Sequence, residues 1–357
     1  MNTEIKTGII FGGIIITGIV FLMIVFTGLD KLTISNQELG TKKAPNLVGI
    51  AHYLNTTPEE LAKKMENKVV LYDIWTYSCI NCIRTLPFIT SWDEKYSDQG
   101  LLIVGIHSPE FEFEKDPQNV KIAIEKYGIT YPVVMDNDMK TWKAFENNYW
   151  PRKYIADHEG NLRYDHIGEG SYQETEKIIQ QLLEERSTAL DLENISENKL
   201  VSIEEFEHTL FRTPELYFGY KFAQNRNQLG SDEGFQPGRT VKYSEPNNIE
   251  LNKFYPIGNW KNNEDRMELT ETSGSIKVLF DAKEVNIVTE NNAQLEIFLD
   301  GIPLTKEYAG LDINFENKMD VSNAGMYNII NSETSISHIM EIRIDGKGFQ
   351  AFTFTFG

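Results

Sequence analysis

Sulfur is scarce in this chain. Its 357 residues hold two cysteines, Cys79 and Cys82, and six histidines. A tetrahedral zinc site needs four ligands, which two cysteines do not supply. The histidines (His52, His107, His158, His166, His208 and His338) show no paired spacing of the zinc-finger kind. No metal and no cofactor is expected. Basic charge is also short: 34 Lys and Arg face 53 Asp and Glu, for a net charge of -19 and a pI near 4.8. No basic run or basic–aromatic stripe offsets that balance. This argues against binding to a phosphate backbone, so nucleic acid is not an expected partner. Internal repeats and low-complexity tracts are absent too.

What is present is ordinary for globular protein: 41% hydrophobic and 24% charged residues, in a chain long enough for two folded units. The N-terminus stands apart. "TGIIFGGIIITGIVFLMIVFTGLDK" carries no charge from Gly8 to Leu29. About 20 apolar residues at helical rise cross a bilayer core. The run is long and β-branched, and no small-x-small cleavage site follows it. It is therefore expected to be a single transmembrane helix at 8–29 that stays attached, with a cleaved signal as the alternative. Lys6 on one side and Lys31, Lys42 and Lys43 on the other leave the positive-inside rule undecided. Residues 30–45 read as a tether.

From 46 to 186 strands alternate with helices. "TTPEELAKKM" has Thr57 as N-cap and Pro58 at the first helical position. "KVVLYDIW" and "LLIVGIH" are buried β-branched strands. "CIRTLPFITSWDEKY" has helical spacing, with Pro87 expected to kink it. "RKYIADHEGNLRYDHIG" reads as a hairpin around Glu159-Gly160, and "SYQETEKIIQQLLEER" as a closing helix. The order predicts an α/β sheet covered on both faces. Residues 187–210 are acidic and read as a linker with one short helix. From 211 to 357 the period becomes two. "SGSIKVLF", "KEVNIVTE", "AQLEIFLDG", "GMYNIIN", "HIMEIRIDG" and "FQAFTFTFG" suggest short antiparallel strands of an all-β sandwich.

The Cys-x-x-Cys follows a buried strand and opens a helix. Unpaired N–H groups and the helix dipole there favour a thiolate at Cys79. The thiolate is the attacking species in disulfide exchange. Cys82, one turn later, faces the same side and can resolve the mixed disulfide. An inert disulfide is one alternative, although so short a loop gains little from closure. A peroxidatic cysteine is another. Thr76 stands three residues before Cys79 as in peroxiredoxins, but Tyr72 occupies the place of their proline.

Residues 46–186 resemble thioredoxin-fold proteins of the TlpA/ResA type. "VVLYDIWTYSCINC" has that family's strand, its aspartate six residues before the first cysteine, its tryptophan and its Cys-x-x-Cys. Pro87 follows, and "NNYWPRKYIADHEGNL" matches the segment with the family's cis-proline. The resemblance implies a thiol–disulfide oxidoreductase. Asp73 would lie beneath the cysteines and take the proton of Cys82. Trp75 would cover the sulfur pair and limit water access, with plain core packing as the alternative. Pro151 would be cis and leave the polar groups of Trp150 free for a client strand. Thr85 stands where many relatives have glutamate, which leaves the proton relay on Asp73. Glu110, after a strand's carboxyl end, is a candidate second carboxylate, with a solvated loop glutamate as its alternative. His107 is site-lining or structural. The dipeptide Ile80-Asn81 leaves redox direction open.

Together, "WTYSCINCIRTLP", "HSPEFEFE" and "NYWPRKY" resemble DipZ-type proteins, which join a membrane electron-transfer unit, a thioredoxin domain and a β-sandwich like a carbohydrate-binding module. "TPELYFGYKFAQN", "GNW" and "QAFTFTFG" fit the last part, a jelly-roll sandwich. The resemblance implies an extracytoplasmic enzyme acting on protein disulfides, a possible role in cytochrome c maturation, and electrons from a separate CcdA-like membrane protein. Tyr217, Tyr220, Trp260 and Tyr327 are candidates for stacking on glycan. An anchored glycan- or protein-binding module, and more weakly a peroxide reductase, are the competing readings.

Overall fold

The structure, a computed structural model, describes residues 42–192, 199–207 and 213–357. The expected membrane segment 8–29 lies outside the described residues. Among the described residues no helix is long and apolar enough to cross a membrane. The end of the expected tether is tied down. Ala44 donates to the carbonyl of Gly160 at 2.9 Å, and Leu162 donates to that of Lys42 at 2.8 Å.

Six strands form the first sheet: β1 (His52–Leu54), β2 (Val69–Trp75), β3 (Leu101–His107), β4 (Val133–Met135), β5 (Arg152–Ala156) and β6 (Leu162–Ile167). Their order is β1-β4-β3-β2-β5-β6. β2, β3 and β4 run parallel; β1, β5 and β6 are antiparallel to their neighbours. Helix α1 (Pro58–Met65) starts as expected, with a capping box between Thr57 and Glu60 and Pro58 in the first turn. Helix α2 (Ile80–Tyr96) carries the cysteines at its start and has Pro87 inside it. The remaining helices are α3 (Pro117–Lys126), the short α4 (Lys140–Ala144) and α5 (Tyr172–Ala189).

All seven residues of β2 are buried, because the strand is central and covered on both faces. Successive side chains alternate faces. Val70, Tyr72 and Ile74 enter one apolar cluster. Val69, Leu71 and Trp75 enter the other, with Cys82 and the inner face of α2. Asp73 has the parity of the second set, so it points toward the cysteine helix.

The strands of the second domain pair antiparallel in one connected sheet of ten: β7 (Leu216–Tyr217), β8 (Thr240–Tyr243), β9 (Phe254–Asn262), β10 (Met267–Leu269), β11 (Ser273–Glu290), β12 (Ala293–Leu299), β13 (Ile302–Pro303), β14 (Lys318–Val321), β15 (Gly325–Asp345) and β16 (Gln350–Phe356), of which β7 and β14 flank the main path. "SGSIKVLF" and "KEVNIVTE" form not two strands but one, β11 (Ser273–Glu290). "GMYNIIN" and "HIMEIRIDG" likewise join in β15 (Gly325–Asp345). No glycine or proline turn separates the halves. Instead the register shifts near Ala282–Glu284 and again at Val285–Asn286. Such bulges let one long strand bend and serve two layers. β11 pairs with β9 (Phe254–Asn262) through its first half and with β16 (Gln350–Phe356) through its second. The two separate sheets expected of a jelly roll are thus one continuous ladder. In the linker, residues 199–207 form no helix; 193–198 and 208–212 lie outside the described residues.

The two domains share a core. Phe352 of β16 packs on Phe111 at 5.1 Å and Phe113 at 4.7 Å between ring centroids. Tyr217 and Val288 join the same apolar cluster as Cys82 and Trp75. Arg84 of α2 pairs with Glu284 and lies 3.4 Å over the ring of Phe206. The packing sets the β-domain against the start of the cysteine helix.

Candidate active site

Cys79 caps α2. Its sulfur accepts the backbone N–H of Cys82 at 3.4 Å. The two thiols are unbonded; Cys79 is partly exposed and Cys82 is buried. Burial pushes the Cys82 thiol well up, and the adjacent Cys79 adds to the shift. Thus one sulfur meets solvent at the helix N-terminus, and the other waits inside as a thiol.

Beneath them lies Asp73, 1% exposed, with a carboxylate oxygen that has no hydrogen-bond partner. Desolvation raises its pKa to about 6, and the charge of Lys153 opposes the rise. Lys153 was not singled out in the sequence. It is the direct cross-strand partner of Asp73 in the β2–β5 ladder, so the two side chains share a face. Burial lowers its pKa to about 8, and Asp73 and Cys82 oppose that fall. Its ammonium donates to the carbonyl of Gly168 at 3.2 Å. The signal that would have found Lys153 was strand register: it stands two residues after Pro151, on the strand that pairs with the aspartate.

A second missed residue is Glu114. It is fully buried, and desolvation raises its pKa. Oε1 accepts from the hydroxyls of Thr76 at 2.5 Å and Ser78 at 2.6 Å. Oε2 accepts from the backbone of Glu110 at 2.6 Å and Phe111 at 2.9 Å. It therefore ties the loop before Cys79 to the loop after β3. Thr76 is held by this carboxylate rather than left open as a peroxide ligand, which weakens the peroxidatic reading.

The remaining candidates divide. The Trp150–Pro151 bond is cis. Trp150 packs tilted against Trp142 with ring centroids 4.2 Å apart, and its indole donates to the carbonyl of Ser108 at 2.9 Å. Trp150 and Glu110 line a cleft of about 600 Å³ together with Cys79, Ile80 and Asn81. Glu110 is not the solvated loop residue of the alternative reading, since it is partly buried and its Oε1 lies 3.0 Å from the Tyr217 hydroxyl. Trp75 does not line the cleft; it packs in the core, in the apolar cluster that holds Cys82. It is fully buried on the central strand and stands edge-on to His107 at 5.4 Å. His107 is structural: burial drops its pKa to about 3, so it is neutral, stacked on Tyr77. Thr85 donates to the carbonyl of Asn81 at 2.9 Å, within its own helix.

The far wall of the cleft comes from the β-domain, through Pro214, Glu215, Tyr217, Arg226 and Thr355. Sequence reasoning could not find these, because domain packing brings them there. Two glycan-stacking candidates are used up elsewhere. Trp260 is fully buried against Phe349, and Tyr217 is buried at the domain interface. A ring inside a core offers no face to a sugar.

Comparison with known proteins agrees with this arrangement. Residues 40–183 match the redoxin family model, and residues 213–357 match the model of a thioredoxin-like C-terminal domain. DipZ of Mycobacterium tuberculosis is 32% identical over 358 residues, covering 99% of this chain and 48% of the relative. The chain thus spans about half the length of that protein. Human NHL repeat-containing protein 2 is 40% identical over 144 residues, covering 40% of this chain and 19% of the relative. The thiol-disulfide oxidoreductase YkuV of Bacillus subtilis is 34% identical over 143 residues, covering 40% of this chain and 94% of the relative. On these matches the chain belongs to the thioredoxin-like redoxin family, in which YkuV is a named thiol-disulfide oxidoreductase.

Proposed function

We propose that this protein exchanges disulfides with protein clients through Cys79 and Cys82, held outside the membrane by its N-terminal segment. The observation that carries the reading is the asymmetry of the pair: Cys79 opens on the cleft at the cap of α2, while Cys82 is buried above Asp73. In the reductive direction the Cys79 thiolate attacks a client disulfide and forms a mixed disulfide. Cys82 then attacks Cys79 and releases the client. Its proton passes to Asp73, a buried carboxylate with a pKa of about 6 that is mostly ionised at neutral pH. Lys153 keeps Asp73 from rising further. Trp150 and the backbone beside Pro151 present the client-facing edge.

The uncharged run from Gly8 to Leu29 supports the anchor. A separate CcdA-like membrane donor would reset the couple after each reductive cycle. Cytochrome c maturation is one setting in which such clients arise. Two experiments test the reading. Cys79→Ser should abolish reduction of insulin disulfides by the purified chain; retained turnover would refute the proposed chemistry. Carbonate washing of membranes should leave the protein in the pellet, with the catalytic domain open to protease in spheroplasts. Release into the wash, or protection from protease, would refute the proposed placement.

A further inference from the structure

A phenol carries one proton. The Tyr217 hydroxyl lies 3.0 Å from Oε1 of Glu110 and 2.8 Å from Oε2 of Glu215. It can donate to only one of them. The second contact is a hydrogen bond only if the other carboxyl is protonated and donates to the phenol oxygen. Desolvation raises both glutamates, and the charge of Glu215 further disfavours ionisation of Glu110, so a proton held between them is also the electrostatically preferred state. Two further charges face the trio. The guanidinium of Arg226 lies 4.9 Å over the Tyr217 ring and favours one remaining negative charge. Glu114 lies behind Glu110 and opposes a second.

This trio is built across the domain boundary. Glu110 follows β3 of the first domain, while Glu215, Tyr217 and Arg226 belong to the second. All four line the cleft that contains Cys79. The same cleft holds an independent sign of a missing occupant. Thr355, 5% exposed, lines it, and its hydroxyl has no hydrogen-bond partner. A buried hydroxyl without a partner is costly.

Proton balance gives the trio a task. Reducing one client disulfide yields two thiols. In the first step the Cys79–client S–S bond forms, the client S–S bond breaks, and one client thiolate is expelled. In the second, the Cys79–Cys82 bond forms and the other client sulfur leaves. The two cysteines become oxidised by two electrons and the client is reduced by two. The proton of Cys82, carried by Asp73, covers the second thiol, and the first needs another source. We propose that Glu110 gives its proton to the first client thiolate as it leaves, with Tyr217 and Glu215 of the β-domain positioning the acid. Arg226 then stabilises the glutamate that remains, and solvent restores the proton. In the oxidative direction the same carboxylate accepts a proton from an incoming client thiol. The assignment rests on the oxidoreductase reading above and makes the second domain part of the active site.

The test uses the leaving group. An alkyl thiolate needs a proton as it departs; an aryl thiolate, such as that from dithiodipyridine, is stable without one. The reduced full-length chain is mixed with bis(hydroxyethyl) disulfide or with dithiodipyridine, and single-turnover rates are compared. Glu110→Gln should lower the alkyl-to-aryl rate ratio by about 100-fold, the low end for a lost general acid. Glu110→Asp should restore part of it. Tyr217→Phe keeps the ring packed, removes the hydroxyl, and should lower the ratio by roughly 10-fold; it also serves if the Gln variant fails to fold. An unchanged ratio in a folded variant, whatever the absolute rates, would overturn the assignment. Cys79→Ser separates the two layers: if it reacts with dithiodipyridine at the wild-type rate, the oxidoreductase reading itself has failed.

Discussion

The cysteine pair has an inner side and an outer side, and they are built by different means. On the inner side Cys82, Asp73 and Lys153 are all essentially buried, and one antiparallel register brings the acid and the base together. On the outer side Cys79, Trp150 and Glu110 face a cleft whose far wall belongs to another domain. The inner side is set by one strand register within the redoxin domain. The outer side depends on how two domains pack. Proton handling for the resolving thiol is therefore local to the redoxin fold, whereas client access is an interdomain property.

The sharpest way to break the comparison is to disable one sulfur at a time. Cys82→Ser should retain attack by Cys79 but trap the mixed disulfide, so turnover falls by orders of magnitude while a client adduct accumulates on non-reducing gels. Absence of the adduct would mean that Cys79 is not the attacking sulfur. Next is the wall itself. Phe352 is buried against Phe111 and Phe113, and Phe352→Ala should cost about 3 kcal/mol, the usual range for a buried aromatic. Denaturant melts followed by probes in each domain should both shift. A melt of the redoxin domain that does not move would show that the outer wall contributes nothing to it.

A smaller effect is expected from Lys153→Met. Lys153 holds the pKa of Asp73 down, so its loss should raise the midpoint of the resolving step above about 6 and slow that step at neutral pH by about tenfold. Single-turnover rates against pH read this directly. The smallest effect is on stability. In the folded protein Asp73 titrates near 6 rather than near its ordinary 3.8, so the unfolded chain loses that proton first as pH rises. Wild-type stability should therefore fall between about pH 4 and pH 6 through this group. Asp73→Asn should be more stable at pH 7 by about 1–2 kcal/mol. That is less than the roughly 3 kcal/mol in the shift alone, because Lys153 loses its partner. Equal stability across that pH range would remove Asp73 as a desolvated acid.

Much of the inner side was legible beforehand. The run "VVLYDIW" is apolar enough to require a central strand. Period two then puts Asp73 on the face of Leu71 and Trp75, toward the helix that begins at Cys79. Trp75 follows its core-packing alternative for the same reason: a residue on a strand buried on both faces cannot also lie over a surface cleft. Lys153 was hidden because pairing between β2 and β5 is long-range, and nothing within "WPRKY" states its register. Glu114 was hidden because "EFEFE" offers three glutamates. Only the turn after β3 decides that one enters the core to hold Thr76 and Ser78 while another meets Tyr217.

In the second domain period two gave the antiparallel character but not the strand count. Residues 281–283 bend β11 through a bulge where no turn residue marks a break, and a bulge has no sequence signature comparable to a glycine turn. Composition, the lone Cys-x-x-Cys and local patterning thus pointed to the fold class and to the proposed nucleophile, because those rest on short-range periodicity and helix-end chemistry, while the family resemblance pointed to the buried acid. Only the tertiary structure decided the Lys153 pairing, the burial of Trp260 and Tyr217, and the interdomain cleft where Tyr217 meets Glu110 and Glu215. Those contacts join residues about 80 to 280 positions apart, and their placement follows from packing two cores together rather than from any local pattern.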